Sequence, residues 1–178
     1  MAAGFGSKTL IHMDLFTDAY RVTGSALVGA GGIHAELGNP NSKFLELKDA
    51  YVSRIHEPGD IVASYTIAAF RKDNINFIVL QDRREGIPIG SQHGSSIFTR
   101  GREVNVFLTI PSFEIRGNVL HDGKLSAREI LVQSMGQFQL VFSGAATSSF
   151  VPEIEYSGDL ILVHKERIGI FCLETNRG

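Results

Sequence analysis

The sequence predicts an all-β protein made of two tandem small open barrels, each a strongly bent five-stranded antiparallel sheet with a short helical insert. Three observations lead there. Apolar and polar residues alternate through Ile11–Leu27 and again through Val104–Leu120, the period-2 pattern of strands with one buried face. The second run lies over the first at an offset of 93 residues. Each run also carries one glycine at the same place, Gly24 and Gly117, near the end of its second strand.

The elements follow in order. IHMDLFTDAYRVTGSAL (11–27) and VNVFLTIPSFEIRGNVL (104–120) each give a strand, a turn at 16–19 or 109–112, and a second strand. Across the repeat Met13 meets Val106, Leu15 meets Leu108, Val22 meets Ile115 and Gly24 meets Gly117. A glycine there has no Cβ and admits a bulge or sharp bend, so Gly24 and Gly117 are expected to be structural. Insert 28–43 is glycine-rich, with a helical turn expected at His34–Leu37. In insert 121–137, Ser126 and Glu129 form a capping box, Leu125 is a staple candidate and Gly136 is the stop. Phe44–Ala50 matches Phe138–Ala145 with a shift of one or two residues. The last segments return to the original offset, with Ile67–Ile75 over Leu160–Ile168. There RKDN and HKER each separate two apolar runs, the layout of a tight hairpin.

The 178 residues therefore divide into a first unit at 8–82, a linker at 83–102 and a second unit at 103–175. One such unit is small for a stable core, and two packed together are favoured. Hydrophobic residues at 43% and charged residues at 20% exclude a disordered chain. No apolar stretch reaches the roughly 20 residues of a membrane-crossing helix, so no membrane role is expected. The single cysteine excludes an intrachain disulfide framework. With the absence of an apolar signal core in MAAGFGSKTL, it points to the cytoplasm. Residues 1–7 are expected to form a loose arm.

Charge is distributed unevenly. The first unit has 7 basic and 9 acidic side chains, and the second has 5 and 9. The linker holds Arg83, Arg84, Arg100 and Arg102 against Glu85 alone. With the hairpin residues Arg71, Lys72, Lys165 and Arg167, these form the candidate contacts to nucleic-acid phosphates. The competing expectation is a solvated linker paired with acidic neighbours.

The bent strand pair ending in glycine, then FLELKDAYV, then a charged turn before the last strand, resembles the Sm-like (LSm) family. It is most similar to bacterial Sm-like domains of unknown function, which carry a short helix before the central strand. The resemblance spans 8–82 and 103–175 and implies open barrels that pair edge to edge, often into rings, and that frequently bind RNA. RNA-binding members carry Asp-hydrophobic-Asn and Arg-Gly elements. Here Leu45-Glu46-Leu47 and Leu140-Val141-Phe142 stand at the first, and neither turn has Arg-Gly. The fold carries over from this resemblance; the RNA site does not.

Other chemistry finds little support. Gly29–Gly32 lacks dinucleotide-loop spacing and Gly6–Thr9 has no preceding strand. The six histidines avoid metal-ligand spacings, so no metal or cofactor is expected. Gly90–Gly94 places its serine wrongly for a hydrolase elbow. Cys172 is expected to pack as a small apolar residue, and Asp18 to hold its turn through backbone amides. The linker lacks the RxxxR arm of cyclic-dinucleotide-binding split barrels. No nucleophile, base and orienting group gather, so a non-enzymatic role is expected. The leading expectation is a scaffold that homo-oligomerises through edge strands; nucleic-acid binding and small-ligand sensing between the units remain open.

Overall fold

Alternating burial builds the first hairpin. In β1 (Thr9–Phe16) and β2 (Tyr20–Val28), Ile11, Met13, Leu15, Val22, Ala26 and Val28 turn inward while their neighbours face out. The computed structural model describes residues 8–87, 101–124, 126–133 and 136–174. Along the chain, helix α1 (Gly32–Gly38) follows, then β3 (Phe44–Arg54), β4 (Glu57–Arg71), a 3-10 turn (Lys72–Asn74), β5 (Phe77–Leu80) and a single helical turn α2 (Arg83–Gly86). The second half runs β6 (Arg102–Ile110), β7 (Phe113–His121), α3 (Ala127–Gln133), β8 (Phe138–Ser148), β9 (Glu155–His164), a 3-10 turn (Lys165–Arg167) and β10 (Ile170–Leu173). Ser126 caps α3, its hydroxyl accepting from the Glu129 amide at 3.4 Å. Gly136 has the positive φ of 76° expected of a stop; Leu125 lies outside the described residues.

The protein is all-β, with one correction to the expected layout. In place of two separate sheets, the ten strands form one continuous, unclosed antiparallel sheet in the order β10-β6-β7-β8-β9-β5-β1-β2-β3-β4. The expected closing hairpins are also absent. β4 and β5 do not pair with one another, nor do β9 and β10. The physical reason lies in the 3-10 turns. In the first, the Lys72 amide donates to Lys43 O at 2.9 Å and the Asn76 amide to Phe16 O at 2.8 Å, which carries the chain from β3 across to β1. Lys165 to Gln137 O and Gly169 to Thr109 O, both 2.9 Å, do the same in the second.

The repeat holds at the level of individual backbone pairs. Met13 faces Gly24 as Val106 faces Gly117, and Leu15 faces Val22 as Leu108 faces Ile115. The central strands align one residue further on: Phe44 faces Arg71 and Phe138 faces His164. In both copies the central strand bulges against its neighbour, with a φ of 49° at Asp49 and 48° at Ser143. Opposite each bulge stands a glycine. A Cβ on Gly24 would lie 3.0 Å from Lys48 O, and one on Gly117 would lie 2.9 Å from Phe142 O and 2.6 Å from Val141 Cγ1. Neither glycine has positive φ. What these positions require is the space of a missing Cβ.

Candidate functional site

The seam between the halves is β5 against β9, with Phe77 opposite Val163, Ile78 opposite Leu162, Val79 opposite Ile161 and Leu80 opposite Leu160. All eight side chains are buried. Strands covered on both faces read as uninterrupted apolar runs, and FIVL (77–80) and LILV (160–163) do so. Ile78, Leu80, Leu160 and Leu162 join the core of the first half, while Phe77, Val79, Ile161 and Val163 join that of the second. Phe16 stacks on Phe77 at 4.1 Å between centroids, and Phe113 meets Phe77 edge-on at 5.1 Å. Arg21 is held by Asp14 at 3.0 Å and lies 4.9 Å from the ring centre of Tyr156, so a charged contact crosses the seam as well.

The sheet ends in two edge strands that are the repeat counterparts of the seam strands. By the 93-residue offset β4 corresponds to β9 and β10 to β5. Their apolar runs, IAAF (67–70) and IFCL (170–173), alternate between exposed and half-buried where the seam runs 77–80 and 160–163 are buried throughout. Ile67 is 59% and Ile170 54% exposed. Cys172, expected to be packed, is exposed on β10. A groove of about 420 Å³ opens beside β10, lined in part by Asn105, Phe107, Arg116, Asn118 and Glu174. It belongs to the second half, away from the seam where a ligand pocket between the units would have to sit.

Among the described residues, most of the candidate basic side chains have partners within the chain. Lys72 is only 4% exposed, and its ammonium donates to the Glu36 and Asn39 carbonyls at the end of α1. Arg71 lies 3.6 Å from the Asp73 carboxylate, and Arg167 donates to Asp73 O at 3.2 Å, so the two 3-10 turns meet across the seam. Burial lowers the Lys165 ammonium below the usual lysine range. Arg83 and Arg84 lie on α2, inside the expected linker. Arg84 clamps Asp82 and holds that carboxyl down to about 2. Arg102 begins β6 and donates to Gly123 O at 3.2 Å. Arg100 and most of the linker (88–100), like arm 1–7, lie outside the described residues. Asp18 accepts 3.0 Å from the Asn76 side chain, a tertiary bond in place of the expected local turn bond.

Two histidines sit in apolar surroundings. His164 is buried beside Phe138, with neither ring nitrogen hydrogen-bonded. Burial lowers its pKa from 6.5, Glu166 opposing this in part. Burial lowers His34 likewise, against a hydrogen bond to the Gly86 backbone. A histidine whose folded pKa lies below its unfolded value binds its proton more readily when unfolded, so stability falls as pH drops through the unfolded value of about 6.5. Thermal melting should therefore lose stability between about pH 7 and pH 5, and a His164→Leu chain should show a shallower loss. Equal slopes in the two chains would contradict this. Among the described residues, no three His, Cys, Asp or Glu side chains gather as a metal set, and no helix is long and apolar enough to cross a membrane.

Sequence signals for the seam were present as the unbroken apolar runs at 77–80 and 160–163, although nothing local in them named each other as partners. Comparison with protein-family models, curated proteins and solved structures finds no match to this chain.

Proposed function

We propose that the protein is a non-catalytic assembly module of two tandem Sm-like units that builds larger structures through its edge strands. One observation carries this reading: strands equivalent by the repeat are buried where they meet at the seam and exposed where they end the sheet. Unpaired edges invite pairing, and natural proteins shield them when they are meant to stay single. Among the described residues nothing pairs with the outer edge of β4. It is 15 residues long and exposes Ile61, Val62, Tyr65 and Ile67. The element order of each half, with a helix before the central strand, fits the Sm-like family that the sequence resembles.

Light scattering over a range of concentrations tests this. The expected mass is a multiple of the 19.4 kDa chain. A chain that stays monomeric at every concentration overturns the reading. The nucleic-acid alternative is favoured by no specific contact, and Lys72, Arg84 and Arg102 each donate within the chain.

A further inference from the structure

We propose that His164 is an acid-operated catch on the seam: when its imidazole takes up a proton, β9 parts from β5 and the joint between the two halves opens. The joint lies within one chain, so the inference does not depend on self-assembly. It concerns a local opening, apart from the loss of overall stability described above.

The repeat shows what sets this position apart. By the 93-residue offset His164 corresponds to Arg71, and each stands opposite a phenylalanine of the central strand. Phe44 of β3 faces Arg71, and Phe138 of β8 faces His164. On the free edge this pair is open to water: Phe44 is 52% exposed, and Arg71 is exposed beside the Asp73 carboxylate. At the seam it is shut, with Phe138 and His164 each 3% exposed. The strand that enters the seam thus carries a ring that is neutral at neutral pH, where its free counterpart carries a permanent cation. Protonation gives the buried strand the charge that its counterpart keeps in water.

Among the described residues the closed seam offers that charge no bonded partner. Backbone pairing runs one residue past Phe77 and Val163, with the His164 amide donating to Asn76 O at 2.9 Å. Both His164 ring nitrogens and Asn76 Oδ1 are buried there without a hydrogen bond. From β8 the ring meets Phe138 at 5.0 Å between centroids, and Gln139 beside it is uncharged. From β5 the Asn76 amide is already committed to Asp18 at 3.0 Å. The nearby charges come from the two 3-10 turns. Burial weighs most against a charged ring; Glu166 and Asp73 pull the other way, and Arg167 adds to burial. Lys165 is itself disfavoured as a cation by burial, and Lys72 turns away to the carbonyls ending α1. An imidazolium is therefore better hydrated in the open joint than in the closed one. On opening, β5 stays paired with β1 and β9 with β8, so one ladder is severed and its neighbours stay whole.

Hydrogen exchange, read amide by amide by NMR, tests this. The reporter is the His164 amide, whose bond crosses the seam. Its protection, corrected for the intrinsic rate, should be lower than that of the β1–β2 and β6–β7 amides at pH 7 and at pH 5.5, because a local opening reaches it before the chain unfolds. Between those values it should fall by up to roughly eightfold, the limit for one proton taken up at a free pKa of about 6.5. His164→Leu and His164→Gln should each remove that fall, and His34→Leu should keep it. A His164 amide as protected as those of β6–β7 overturns the inference, since the seam then opens only with the whole fold. So does protection that is equal at the two pH values, or a fall that survives in both His164 variants or vanishes in His34→Leu.

Discussion

Phe77→Ala should lower the free energy of unfolding by about 3–5 kcal/mol, the usual cost of emptying a fully buried aromatic site. Phe77 has no exposed surface and lies in the seam between the halves. Its ring stacks on Phe16, meets Phe113 edge-on and belongs to the second core although the residue sits in the first repeat. The cavity would open on one face of a continuous sheet, beside the rings of Phe16 and Phe113, whose strands are held in place by their own pairing. Chemical denaturation followed by tyrosine fluorescence and by circular dichroism should give one coincident transition at lower denaturant. Leu10→Ala, in the same unit but 56% exposed, should stay within about 0.5 kcal/mol of wild type. A Phe77→Ala loss no larger than that of Leu10→Ala would show that the seam does not hold the halves together.

Gly117→Ala should destabilise by about 2–3 kcal/mol, and Gly24→Ala by about 1 kcal/mol, within the range for overpacking a filled site. The ranking comes from what each new Cβ would meet. At Gly117 it would approach Val141 Cγ1 at 2.6 Å, Phe142 O at 2.9 Å and the Gly144 Cα at 3.0 Å. Two of those three are backbone atoms of β8, pinned by pairing with β7 and β9. At Gly24 the tightest contact is 3.0 Å, to Lys48 O. Gly59→Ala supplies the reference, since a Cβ there meets nothing within 4 Å. Melting temperatures should fall in the order Gly59, Gly24, Gly117, and a reversed order would mean that the bulges relax more easily than their geometry suggests.

Much of the local structure could be read from residues alone, because it depends on periodicity. Alternation located β1, β2, β6 and β7, and the offset between repeats paired Met13 with Val106 and Gly24 with Gly117, as the backbone register does. Ser126 and Gly136 bounded α3 through capping chemistry that acts over a few residues. What escaped was non-local. A four-residue apolar strand such as FIVL carries no mark of which distant strand it joins, so the departure of β5 from β4 and its union with β9 were invisible. The candidate basic residues show the same limit. Counting charge put Lys72 among exposed cations, but the 3-10 turn aims it inward at the carbonyls ending α1. Arg84, chosen for a free linker, is instead fixed to Asp82 two residues away.

The seam has a further consequence for any assembly made from this chain. Because one contact of each pair is supplied within the polypeptide, units enter and leave two at a time, and only even numbers of units are permitted. Fusion also separates the fates of the two contacts. The internal one is present at any dilution, with Gly158 leaving room for the Leu80 backbone, whereas an external one would answer to concentration. Dilution should thus cleave an assembly at alternate joints, releasing whole chains and never a lone unit.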